Sequence, residues 1–125
     1  MSWYLDTNVI VALLTPELLS LRADGFLANN SDGLIVSDFA AAEFAAVIAR
    51  RVRMRSFTPA AGRQALATFD TWVTRSAWRI EMNAVDVAAA DALLRRLDLT
   101  LLTPDAIHIA IARRLGATIV TFDRV

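Results

Sequence analysis

The 125-residue chain contains no cysteine and no lysine, and only one histidine. Without cysteine, disulfides, thiolate catalysis and zinc–sulfur sites are excluded. Without lysine, all thirteen basic residues are arginine, which genomic base composition suffices to explain. Excess charge is also missing. The formal net charge is +0, so no global field draws in nucleic acid or an anionic membrane, which weighs against a stand-alone nucleic-acid binder. Long apolar runs are lacking: the stretch Val9 to Leu14 is far too short to span a bilayer. The start, "MSWYLDTN", has no basic n-region and meets an acid at Asp6. No signal peptide and no membrane segment are therefore expected, and the protein is expected to be cytoplasmic.

What is present is apolar bulk. Hydrophobic residues make up 56% of the chain, enough for a real core in one domain spanning residues 1–125. Trp3 to Leu5 reads as a short buried strand and Thr7 to Leu14 as a helix. Pro16 is expected to restart a helix that runs to about Leu27 or Ala28. "NNSDG", from Asn29 to Gly33, is turn chemistry. Leu34 to Val36 reads as a second strand, and Ser37 or Asp38 caps an alanine-rich helix to about Arg53. Thr58 and Pro59 open another helix, to about Thr74. Trp78 to Met82 reads as a third strand and Ala84 to Leu97 as a helix. Thr103 suits the N-cap of the next helix, Pro104 its first position, and Gly116 its end. "ATIVTF", Ala117 to Phe122, is a last strand closing on Asp123. Strands alternating with helices, each strand a continuous apolar run, predict an α/β fold: a three-layer αβα sandwich with a central, mainly parallel sheet.

Most of the thirteen acids have ordinary readings. Asp24, Asp32, Asp70, Asp86 and Asp98 lie among polar neighbours or turns, and Asp91 sits four residues before Arg95 as a helix-surface pair. Four acids stand apart. Asp6 ends the first strand and Asp123 the last, and parallel sheets bind ligands beyond the carboxyl ends of their strands. Asp6 equally suits capping of the helix that begins at Thr7. Glu43 is the one charge in the otherwise apolar stretch Phe39 to Ala49, which fits either a site or an exposed face. Asp105 opens a helix apolar on nearly every side, where a first-turn acid also complements the dipole. His108, one turn on, reads as a structural histidine that can hydrogen-bond Asp105. Gathered together, four carboxylates repel, each close pair by about 1 kcal/mol in water and about 4 kcal/mol at an effective dielectric near 20. Such a cluster needs a cation. Hard oxygen ligands suit Mg²⁺ or Mn²⁺, and a carboxylate-held magnesium implies phosphoryl chemistry.

The stretches "YLDTNVIVALL", "VSDFAAAEF" and "LLTPDAIHIAIARRLGATIVTFD" resemble, in order and spacing, the PIN domain family, and within it the VapC toxins of bacterial type II toxin–antitoxin pairs. The likeness covers Trp3 to Asp123. It implies a PIN-like three-layer fold and a Mg²⁺- or Mn²⁺-dependent endoribonuclease, with metal-activated water attacking an RNA phosphodiester to leave a 5′-phosphate. The family's four acids fall on Asp6, Glu43, Asp105 and Asp123, so the resemblance makes these both catalytic and metal-binding. Thr7, Asn8 and Thr121 fall where small polar residues hydrogen-bond the carboxylates so that they face the metal. The resemblance also implies a homodimer and a cognate VapB-type antitoxin. A local basic run, Arg50, Arg51, Arg53 and Arg55, would serve as the RNA rim. Family members continue past the last acid with a short helix and strand, so a clipped end or an absent sheet edge is expected after Val125.

Two other folds compete on the acids alone. A response-regulator receiver needs adjacent acids after its first strand and a late lysine. A haloacid dehalogenase-type phosphatase needs a second aspartate where this chain has Asn8, and again a lysine. The remaining alternative is a PIN-like module that binds RNA or protein without cutting it.

Overall fold

The computed structural model describes residues 1–123. In chain order the elements are β1 (Trp3–Leu5), α1 (Thr7–Leu14), α2 (Ser20–Asn29), β2 (Leu34–Ser37), α3 (Asp38–Arg53), α4 (Pro59–Ser76), β3 (Trp78–Ile80), α5 (Ala84–Leu94), α6 (Thr103–Leu115) and β4 (Thr118–Val120). The four strands pair in the order β3-β2-β1-β4, all parallel. Successive side chains point to opposite faces of a strand, and the core divides accordingly. Leu5, Leu34 and Val36 pack with α1, α3 and α4 through Val9, Ile10, Phe44, Ile48, Phe69 and Val73. Tyr4 and Ile35 face the other way, onto α5 and α6 through Ala90, Ala106, Ile107, Ala110 and Ile111. The sheet is thus sandwiched between two helical layers, and it is wholly parallel where a mainly parallel one was expected.

Helix boundaries follow local chemistry, with corrections. The Ser37 hydroxyl accepts the Ala40 N–H (3.0 Å) and caps α3; the Thr58 hydroxyl accepts that of Ala61 (3.1 Å) and caps α4, with Pro59 its first residue. Gly116, at φ 63° and ψ 28°, ends α6 in the left-handed region that glycine favours. Pro16 does not start α2. It ends α1 by forcing Thr15 into an extended conformation (φ −133°, ψ 146°), and the helix resumes only at Ser20. Thr103 is a helical residue, with Leu102 at the N-cap. Helix α5 stops at Leu94, because Leu97 takes φ 64° in the following turn. The strands β3 and β4 are shorter than Trp78–Met82 and Ala117–Phe122.

Because every crossover helix returns the chain to the same edge, all four strands end at one side of the molecule. The β1–β4 register pairs Leu5 with Val120, and the Asp6 N–H reaches the Val120 carbonyl (3.0 Å). Asp6 and Thr121 therefore emerge side by side at that edge.

Candidate metal centre at the carboxyl edge of the sheet

Asp6 stands at the N-cap of α1, yet its side chain caps nothing. Only 8% exposed, the carboxylate instead accepts the Thr121 hydroxyl (2.7 Å). This disposes of the capping explanation for a buried acid. Thr7 donates its hydroxyl to Glu43 Oε1 (2.7 Å). Asn8 donates its amide to Asp123 Oδ1 (3.1 Å) and Thr121 Oγ1 (3.4 Å), and its carbonyl oxygen accepts the Phe122 N–H (3.3 Å). Thr121 Oγ1 also accepts the Asp123 N–H (3.0 Å). Thr7, Asn8 and Thr121 thus each hydrogen-bond at least one of the four acids singled out in the sequence.

Glu43 projects from the second turn of α3 and is half-buried. Burial pushes its pKa up, but hydrogen bonds from His108 (Nε2 to Oε1, 2.5 Å) and Thr7 outweigh that effect and hold it below its ordinary 4.5. Asp105, the third residue of α6, turns back to accept the Leu102 N–H (3.0 Å). Its position in the first turn therefore has a structural reason of its own. Asp123 is exposed, and its pKa is raised above 3.8 by partial desolvation and then by the charges of Asp6 and Asp105.

Asp6, Asp105 and Asp123 line one cleft of about 130 Å³ with His108 and Thr121, and Ile109 and Ile119 supply its apolar wall. Glu43 joins through His108, whose Nε2 lies 2.5 Å from Glu43 Oε1 and 3.6 Å from Asp6 Oδ1. Among the described residues no arginine pairs with any of the four acids. The donor chemistry fits a hard divalent cation: several carboxylates near one another and no sulfur. The arrangement is not closed around an ion. Among the described residues no three Asp, Glu or His groups are already set to hold one, and Asp105 would have to release Leu102 to turn inward. A larger cleft of about 610 Å³ lies between Leu34, Trp72 and Trp78, but Asp32 is its single acid, so it offers no comparable donor set.

Three participants were not evident in the sequence as part of this cluster. His108, 1% exposed, bonds Tyr4 and Glu43 rather than Asp105. Tyr4 OH lies 2.5 Å from His108 Nδ1 and 2.8 Å from Ser37 Oγ. Burial, together with the charges of Asp6, Glu43 and Asp86, pushes the Tyr4 pKa well above 10.0 and keeps the phenol protonated. The spacing of His108 three residues after Asp105, on the same helical face, was the available signal. Asp86, read in the sequence as an ordinary acid, is 1% exposed and forms a two-point ion pair with Arg114 (2.7 and 3.0 Å).

Arg50, Arg51, Arg53 and Arg55 fall at the far end of α3 and in the turn after it. Ten helical residues, about 15 Å of rise, separate Glu43 from Arg53. Arg51 is already engaged: it donates to Thr15 Oγ1 (2.9 Å) and lies over the Phe57 ring (5.5 Å).

A parallel sheet between helical layers, with acids gathered beyond its carboxyl edge, defines a PIN-type α/β domain. The PIN domain family profile matches residues 3–125, and the chain belongs to that family. Solved structures repeat the fold. The VapC20 toxin of Mycobacterium tuberculosis, described as cleaving the sarcin–ricin loop, superposes with a TM-score of 0.80 at 21% identity, covering 98% of this chain and 90% of that one. VapBC2 of Rickettsia felis, solved on a promoter DNA fragment, gives 0.69 at 19% identity, covering 98% and 89%. A toxin–antitoxin complex from Klebsiella pneumoniae gives 0.65 at 21%, covering 98% and 87%. No curated protein matches the chain by sequence.

Proposed function

We propose that this protein is a Mg²⁺- or Mn²⁺-dependent endoribonuclease, the toxin of a toxin–antitoxin pair. The observation that carries the reading is the convergence of Asp6, Asp105 and Asp123 on one cleft, with Glu43 behind His108. Asp6, Glu43, Asp105 and Asp123 would hold the ion, Asp105 after letting go of the Leu102 N–H. A bound divalent ion supplies a water of lowered pKa and steadies the leaving oxygen. The protein's own part is positional. Thr121 holds Asp6, Asn8 holds Asp123, and Thr7 holds Glu43; the lowered pKa of Glu43 keeps it anionic at neutral pH. Arg50, Arg53 and Arg55, with Arg51 through whatever reach its Thr15 contact leaves, would meet the phosphate backbone, whose recognition is largely charge-driven.

The partners follow from the same reading. Fold neighbours include toxin–antitoxin assemblies, which supports a VapB-type antitoxin as partner; a homodimer belongs to the same proposal. A chain of zero net charge that carries an acidic cleft would offer such an antitoxin a natural seat for an arginine. No helix among the described residues is long and apolar enough to cross a membrane, consistent with a proposed cytoplasmic location.

One observation favours a second reading, a module that binds without cutting: the acids are not already set around an ion, and Asp105 has a capping role. Cleavage decides between them. Purified protein incubated with structured RNA in Mg²⁺ should generate fragments with 5′-phosphates, and EDTA or Asp6→Asn should abolish them. Intact RNA with the wild-type protein, or equal cutting by Asp6→Asn, would contradict the nuclease reading.

A further inference from the structure

The four-residue chain Ser37–Tyr4–His108–Glu43 is buried at its first three members, Ser37 and Tyr4 at 0% exposed and His108 at 1%. With no solvent available, each proton in it must find a partner inside the protein. Ser37 Oγ already accepts the Ala40 N–H, and its one other side-chain partner is Tyr4 OH. The serine proton therefore goes to the tyrosine oxygen. Tyr4 in turn has two partners, Ser37 and His108 Nδ1. Having accepted from the serine, it donates its own proton to Nδ1, because otherwise that proton would be orphaned. Nδ1 is then an acceptor and Nε2 carries the ring hydrogen, which it gives to the Glu43 carboxylate. The direction is fixed at both ends, by a backbone amide at one and by a carboxylate that can only accept at the other.

We propose that Ser37, Tyr4 and His108 form a one-way hydrogen-bond relay whose task is to position Glu43, with Tyr4 the residue that holds the histidine ring through Nδ1. His108 and Thr7 both bond Oε1, while Oε2 has no protein partner among the described residues. The relay thus holds the carboxylate by one oxygen and leaves the other free for an ion. What Glu43 is positioned to bind rests on the metal reading above; the relay itself does not. Outer hydrogen bonds of this kind orient carboxylate and histidine ligands, and their loss commonly costs about 10- to 100-fold in metal affinity.

The test uses a feature of the sequence: His108 is the only histidine, so its ring nitrogens can be observed without ambiguity. Nitrogen-15 NMR of metal-free protein at neutral pH should show one tautomer, protonated at Nε2. Tyr4→Phe keeps the ring but removes the donor. Glu43 still keeps the hydrogen on Nε2, but the Nδ1 resonance should move to that of an acceptor without a donor, and Mn²⁺ binding, followed by electron paramagnetic resonance, should weaken by about 10-fold or more. If Tyr4→Phe does not fold, Ser37→Ala interrupts the relay one link earlier and should move both readouts in the same direction. A wild-type protein protonated at Nδ1, a wild-type Nδ1 resonance retained in Tyr4→Phe, or unchanged Mn²⁺ affinity despite a shifted Nδ1 resonance, overturns the proposal. If the wild-type protein binds no Mn²⁺ yet shows the Nε2–H tautomer and an Nδ1 resonance that moves in Tyr4→Phe, the relay stands and the metal reading fails. If both proteins bind Mn²⁺ equally with one Nδ1 resonance, the metal reading stands and the relay fails.

Discussion

At the scale of single residues, the site is defined by how each acid is used. Asp6 is buried and bonded to Thr121, and its charge bears on Asp123. Asp6→Asn keeps an oxygen to accept the Thr121 hydroxyl and removes a like charge. Its metal-free melting temperature should equal or exceed that of wild type, while Mg²⁺-dependent cleavage disappears; a marked loss of stability in calorimetry would show that the carboxylate serves the fold instead. Asp123 carries an opposite sign of pH dependence from Glu43. A raised folded pKa means stability that is present below 3.8 and lost as pH rises through the folded value; a lowered one means stability present above 4.5 and lost as pH falls. Asp123→Asn removes the first contribution, so denaturant unfolding across pH 3–7 should show this variant gaining on wild type as pH rises. No gain would mean that neither the desolvation of Asp123 nor the crowding of acids persists in solution. The strand-end acids were legible in the sequence because strand ends and helix starts are local features. His108's real partners were not, because Tyr4 lies 104 residues away in the chain and only the β1–α6 packing brings them together.

At the scale of elements, the joint between α5 and α6 rests on an ion pair to a buried carboxylate. Asp86 accepts from Arg114 twice and from the Asn83 N–H (2.8 Å), and Arg114 also reaches the Glu81 carbonyl (3.0 Å). Asp86 is fully buried and Arg114 only partly so. Removing the arginine strands a buried charge, so Arg114→Ala should destabilise by about 3 kcal/mol, read from urea unfolding at neutral pH. The pH profile supplies a second check. Burial raises the Asp86 pKa, but Arg114 and the Asn83 N–H more than offset this and hold it below 3.8. The stability from this pair is therefore present above 3.8 and lost as pH falls through the folded value. Arg114→Ala should flatten that acid limb, and an unchanged limb would remove the pair from the account. The sequence offered no sign of this joint, since Asp86 three residues after Asn83 looks like any first-turn acid. Capping signals were more readable: Ser37, Thr58–Pro59 and Gly116 act where their chemistry places them. Pro16 misled because proline both opens helices and ends them, and here its effect on Thr15 prevails.

At the scale of the whole molecule, a wholly parallel sheet collects residues far apart in sequence at one edge. Asp6, Glu43, Asp105 and Asp123 approach one another because β1, β2 and β4 end together and α6 begins there. The αβα layering was readable from alternating apolar strands and helices; the relay, the α5–α6 joint and the engagement of Arg51 depend on packing between layers. The central claim is that this edge holds a divalent cation. Its most direct test is an anomalous difference map from crystals of the wild-type protein soaked in Mn²⁺. A peak among the carboxylates of Asp6, Asp105 and Asp123, with Asp105 turned off the Leu102 N–H, is the result expected. A cleft without a peak at saturating Mn²⁺, with Asp105 still on its backbone amide, would contradict the account.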